Sequence, residues 1–300
     1  MEIKYTIQKI KYTIPRNSNC EMIMAMNQNN KEDDISKRKL VITVGGNAMF
    51  PENSICNLIS IKKDISNDLL AIGLPKKATS SAELVDATVS AMLRAKQAGY
   101  KIENITVAGH SLGGAITALA LQKVKQYLEP NEKFAGYVNH RSFNNIGGFI
   151  AGYLNRDKTF SEDLKNSNDL YKLNKASWFG WLVNGLTWLL GVQLNAEAAL
   201  KDLPVKQMKI YADGDDKVIR NVAAFANAAK ENSINIPTKI KITPEHGHTD
   251  SRSNSLYKPS KPYTEWNTEE DLKDETLYMD RKYVDSIILE RQNDGIDNQI

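Results

Sequence analysis

Ser111 stands in the run Gly109-His110-Ser111-Leu112-Gly113-Gly114, after the β-branched stretch Ile102–Ala108 and before the small, apolar stretch Ala115–Leu128. A serine flanked by glycines two residues away on either side, between a strand and a helix, fits a tight strained turn that lifts a hydroxyl clear of a sheet. Larger side chains at the glycine positions would collide with the neighbouring strand and helix. The first turn of the following helix offers backbone N–H groups to a developing oxyanion. The chemistry this suits is nucleophilic attack on a carbonyl. An ordinary glycine-rich turn is the competing reading, and the flanking strand and helix weigh against it.

A serine hydroxyl is a weak nucleophile without a base, so a histidine must reach it. There are four. His110 sits beside the serine and points away from it by strand alternation. His140 ends the strand predicted at Phe134–Val138 and its continuation. His246 and His248 fall in Pro244-Glu245-His246-Gly247-His248-Thr249, just past Lys239–Thr243, the last clear strand. The His-x-His pair could also ligate a metal, but it lacks the accompanying cysteine or acidic ligand set of such a site. A carboxylate should orient the base and stabilise its charged form. Asp213, Asp215 and Asp216 all follow the run Gln207–Ala212. Short acids and a glycine in a loop are also ordinary turn formers and helix caps.

Strands must position these groups. Glu2–Ile14 and Glu21–Met26 read as an opening pair, with Asn27–Lys39 as a polar connection. Leu40–Val44 is a short β-branched strand entering Gly45-Gly46-Asn47-Ala48, and Leu69–Leu74 is a further apolar run closed by Pro75. Ser80–Ala98 reads as a helix, with Ser80 or Ser81 as cap, apolar residues at helical spacing and Gly99 as its stop. Val218–Glu231 is another. Strands alternating with helices predict an α/β fold with a mostly parallel sheet and helices on both faces. The 300 residues carry 39 basic and 36 acidic side chains, a net charge of +3, and two cysteines, Cys20 and Cys56. That balance gives no electrostatic case for nucleic acid and excludes a disulfide-stapled scaffold. There is no phosphate-binding Gly-Lys-Ser/Thr loop and no GxGxxG after the first strands.

The Gly-His-Ser-Leu-Gly-Gly run, with its strand and helix, resembles the α/β-hydrolase superfamily, and especially its lipases and esterases, over most of the chain. The fold implied is an α/β-hydrolase sheet with a helical cap insertion in one domain, 1–300. The cap would lie at about 151–204, and a polar C-terminal extension at about 251–300. The resemblance implies Ser111 as nucleophile. Gly247-His248-Thr249 matches the family's base, with His246 as alternate. Asp216-Lys217-Val218-Ile219 matches its acid, with Asp213 as alternate. Gly45-Gly46-Asn47-Ala48 stands where the family carries a His-Gly-Asn-Ala type loop, with Gly45 in place of the histidine. The backbone N–H groups of Asn47 and Leu112 are then the implied oxyanion hole. Ser…Asp…His is the family's chain order.

The resemblance implies a serine esterase acting on carboxylic esters, lipid or acyl esters foremost, with no metal or organic cofactor. Acyl transfer on the same triad and a non-catalytic, lipase-like binding protein are the alternatives. Residues 176–196 hold no charge and three of the four tryptophans, Trp178, Trp181 and Trp188. The stretch reads as a buried cap helix, as a lid making transient membrane surface contact, or as a span. Tryptophan favours the lipid–water boundary, whereas Asn184, Thr187 and the glycines weaken a span. No secretory signal precedes the first strand, so the expected location is cytoplasmic as synthesised. A second, weaker resemblance is to hydrolases of intracellular bacterial pathogens such as chlamydiae and legionellae, carried by the elbow, Arg141-Ser142-Phe143 and the Asp-x-Val-Ile site. It implies delivery into a host cell as a bacterial effector. Arg141 and Phe143 read as structural.

Overall fold

The computed structural model describes residues 5–14, 19–46, 51, 54–55, 67–75, 78, 80–155, 194–213, 219, 225–232 and 236–243. Within them the chain forms β1 (Tyr5–Thr13), β2 (Asn19–Asn27), β3 (Leu40–Val44), β4 (Asp68–Gly73), β5 (Ile105–His110), β6 (Gly136–His140), β7 (Met208–Asp213) and β8 (Thr238–Thr243). The helices are α1 (Ser81–Gln97), α2 (Leu112–Val124), α3 (Ile146–Asn155), α4 (Ala196–Ala199) and α5 (Phe225–Asn232).

The strands make one eight-stranded sheet in the order β1-β2-β4-β3-β5-β6-β7-β8. β1 and β2 pair antiparallel, as does β2 with β4, and every later pairing is parallel. Burial follows from these positions. β1 lies at the edge and alternates exposed with half-buried residues, whereas all six residues of central β4 are buried. Continuous apolar runs are what a parallel strand covered on both faces requires. The order reverses at β3, because β4 lies on one side of it and β5 on the other. Such a reversal opens a crevice at the carboxyl ends of the strands.

α2 is built of small and apolar residues nearly all round, and it is buried. It packs against both the sheet and α1. One core joins both helices to Ile42, Val44, Val107, Tyr137 and Ile210 of the sheet and to Leu194, Ala196, Ala199 and Leu200 around α4. Residues 156–193, most of the segment expected as a cap, lie outside the described residues. At its end Leu194, Ala196, Ala199, Leu200 and Leu203 are buried in the core. Among the described residues, no helix is long and apolar enough to cross a membrane.

The strand boundaries move in an informative way. Ile102–Asn104 is a 3-10 turn, and β5 runs on through Gly109 and His110, which pair with Asn139 and His140. α2 begins at Leu112, so both glycines after the serine stand in its first turn. Gly99 ends the preceding helix as expected, at φ 105°.

The amino ends of the strands are tied by one buried carboxylate. Asp68 is fully buried at the start of β4. Its Oδ1 accepts from the Asn27 N–H at 2.8 Å and from Arg38 Nη2 at 2.6 Å, and its Oδ2 accepts from the Tyr100 hydroxyl at 2.6 Å. The carboxylate thus joins β2, the approach to β3, β4 and the turn after α1. An Asp68→Ala substitution leaves the largely covered Arg38 charge without its carboxylate partner. It should destabilise the fold by about 3–5 kcal/mol, read as a lower urea midpoint.

Burial also sets the alkaline limit. The Cys20 thiol, buried in β2, is pushed up to about 11 by desolvation, with the charge of Glu83 adding to the rise. Burial raises the Tyr12, Tyr100 and Tyr137 hydroxyls as well. Each group keeps its proton in the folded chain where the unfolded chain has released it. Their contribution is therefore complete below the ordinary thiol and phenol range and is lost as pH rises through the folded values. The urea midpoint should fall steadily from pH 8 to pH 11, and Cys20 should resist thiol reagents at pH 8 until the protein unfolds.

Candidate active site

The chain leaves β5 and enters α2 through a single residue. Ser111 has φ 52° and ψ −120°, a backbone conformation that L residues rarely adopt. Its neighbours explain why it is held there. A Cβ on Gly109 would stand 2.5 Å from the Gly113 carbonyl oxygen, and one on Gly113 would stand 2.2 Å from the Val44 carbonyl oxygen. The two glycines let the strand end, the helix start and the end of β3 approach at backbone distance. Ser111 itself is half-buried. Its N–H donates to the His140 carbonyl at 2.9 Å, and its carbonyl accepts from the Gly114 N–H at 3.0 Å.

The loop after β3 lies against this turn. A Cβ on Gly46 would be 3.2 Å from Ser111 Cβ and 3.3 Å from His110 Cδ2. Backbone from the β3 loop and the first turn of α2 therefore border the serine from two sides. Leu112, a predicted oxyanion donor, is the first residue of that helix, whose N-terminal N–H groups carry partial positive charge.

Two polar arrangements fix α2 and the strand ends. On one face of β6, the Tyr137 hydroxyl donates to the Gly114 carbonyl at 2.6 Å, and Asn139 Nδ2 donates to the Tyr137 oxygen at 2.7 Å. On the other face, His110 and His140 bring their Nδ1 atoms to 3.0 Å. The His140 ring is also tilted against Tyr211 of β7, with centroids 5.7 Å apart. Neither arrangement is read from the sequence. The alternation of Tyr137 and Asn139 with Val138 and His140 along a buried strand is the signal that could have found them. Beyond β6, Arg141 adopts φ 46° and is buried, as is Phe143, which stacks on Phe149 at 5.3 Å.

Of the predicted site residues, Ser111 and Leu112 lie at the turn together. Asp213 is the last residue of β7, in register with Thr243, the last residue of β8. The side chain of Asp213 lies outside the described residues, as do Asn47, Asp216, His246 and His248. Cys56 is outside them too. Among the described residues, no three His, Cys, Asp or Glu side chains cluster as metal ligands would.

No family model and no curated protein matches the chain. Solved structures do. An acetyl xylan esterase from Paenibacillus sp. R4 superposes with a TM-score of 0.54 at 12% identity, covering 83% of each chain. A thermostable esterase from Pseudomonas putida ECU1011 gives 0.51 at 13% identity, over 80% of this chain and 74% of that one. A hormone-sensitive lipase from a metagenome library gives 0.50 at 18% identity, over 82% and 77%. The sheet order, its antiparallel start, the serine turn between β5 and α2 and these superpositions agree: the chain has the α/β-hydrolase fold.

Proposed function

We propose that the protein is a serine hydrolase that cleaves carboxylic esters. The observation that carries this reading is the backbone of Ser111, held at φ 52° between β5 and the first turn of α2 with Gly46 beside it. Such strain persists only where its surroundings over-determine it, and it gathers at functional sites. The turn presents a hydroxyl at a strand end with helix N–H groups next to it. The structural neighbours named as esterases and a lipase support the same chemistry.

In this reading His248 removes the proton of Ser111 as Oγ attacks the ester carbonyl, and Asp216 orients His248 and stabilises its charged form. The N–H groups of Leu112 and Asn47 hold the oxyanion, where charge develops on what was the carbonyl oxygen. Collapse of the tetrahedral intermediate expels the alcohol, which takes the proton from His248. Water, deprotonated by the same histidine, then releases the acid from the acyl-enzyme. His246 and Asp213 are the alternates for base and acid. The substrate class is lipid or acyl esters, with the tryptophan-rich stretch before Leu194, which holds Trp178, Trp181 and Trp188, making contact with the membrane surface during turnover.

Ser111→Ala should lower turnover of short p-nitrophenyl esters by at least about 10³-fold and abolish labelling by a fluorophosphonate probe. His248→Ala should match that loss, whereas His246→Ala should retain most activity. The reverse pattern would exchange their roles. A wild-type protein that the probe never labels would sink the hydrolase reading. Adding anionic vesicles should raise hydrolysis of long-chain esters. A preference for short soluble esters, indifferent to vesicles, would overturn the lipid assignment alone.

A further inference from the structure

We propose that His110 and His140 are positioning residues for Ser111: their imidazoles share one proton between facing Nδ1 atoms, and this bond holds the serine turn and Gly46 in place. The effect on turnover rests on the hydrolase reading, whereas the bond and its proton do not. His110 ends β5 and His140 ends β6, directly opposite each other in the parallel register. At 3.0 Å, two nitrogens of this kind are at hydrogen-bond distance, and one must donate while the other accepts. In the neutral rings that forces opposite tautomers, with one proton on Nδ1 and the other ring protonated at Nε2.

The backbone repeats the connection. The N–H of Ser111, one residue past His110, donates to the His140 carbonyl at 2.9 Å. The N–H of Arg141, one residue past His140, donates to the Tyr211 carbonyl at 2.7 Å. Ser111 and Arg141 both carry positive φ, so a positive-φ residue follows each of two adjacent strands. The rings climb the same stair, from His110 to His140 at 5.3 Å and on to Tyr211 at 5.7 Å. His140 thus grips the serine turn twice, by its carbonyl at Ser111 and by its imidazole at the residue before. The His110 ring in turn borders Gly46, next to Ser111 Cβ. A loosened ring pair would free the serine and the adjoining loop together, which affects the chemical step more than ground-state binding.

Two variants separate the bond from the bulk of the ring. His140→Phe keeps a ring against Tyr211 but removes both nitrogens, whereas His140→Asn places an amide near the former Nδ1. His140→Phe should lower kcat on p-nitrophenyl acetate by about tenfold or more with KM shifted less than about threefold, and should slow fluorophosphonate labelling in parallel. His140→Asn should recover most of that loss. Hydrogen exchange at the Ser111 amide should quicken in His140→Phe and return in His140→Asn. Imidazole ¹⁵N spectra of the wild-type protein should show one ring protonated at Nδ1 and one at Nε2. Two Nε2–H tautomers would overturn the proposal, as would a folded His140→Phe protein with wild-type labelling and Ser111 exchange. If His140→Phe does not fold, the tautomers decide. If the wild-type protein is never labelled, the hydrolase reading fails, and the tautomers and the Ser111 exchange decide the pair by themselves.

Discussion

Residue 111 must turn the chain from a strand into a helix within one residue, and the surrounding structure is arranged to make that turn tolerable. A backbone at φ 52° and ψ −120° costs on the order of 1–3 kcal/mol for a residue with a side chain. It persists because β3, β5, β6 and α2 are each fixed independently and leave the chain no other path. Gly113 shows how closely the parts meet, since an added methyl would overlap the carbonyls of both Val44 and Gly45. The helix α2 can come this near because Gly113 and Gly114 stand in its first turn and alanine recurs along its length. Larger side chains on its inner face would push it off the sheet and relax the turn.

The two ends of the sheet carry different burdens. At the amino ends, Asp68 joins four segments through a buried carboxylate whose partners are an arginine, a tyrosine and a main-chain N–H. Such a network is rigid because losing any member strands a buried polar group. At the carboxyl ends the register ladder stops and the backbone takes two positive-φ steps, at Ser111 and Arg141. Strain is concentrated at these carboxyl ends, and the packing that tolerates it lies elsewhere. The Tyr137 hydroxyl links the two regimes, because it holds the Gly114 carbonyl of the strained helix start against buried β6.

Much of this was legible in the residues. Leu40–Val44 reads as a buried strand because five consecutive apolar or β-branched residues suit only a strand covered on both faces, and its bounds are met in the structure. The serine turn was legible because glycines at fixed offsets have a steric reason that side chains cannot satisfy. The start of α2 was less so: Gly113 and Gly114 are poor helix formers in isolation, yet close packing against the sheet places them in the first turn. β5 likewise extends through Gly109 because pairing with Asn139 overrides the low strand preference of glycine.

The side-chain partnerships were the least legible, and for a different reason. His110 and His140 lie 30 residues apart, and nothing local in either segment refers to the other. Their meeting depends on register: a slip of one residue in the pairing of β5 with β6 would turn one ring to the opposite face. That register is in turn fixed by the apolar faces of Val107 and Tyr137, which both belong to the core that holds α2. The hydrophobic pattern that builds the core therefore decides, three residues further on, which polar groups stand beside the serine. The pattern of small and apolar residues around Ser111 is in this sense part of the site, because it determines where the histidines arrive.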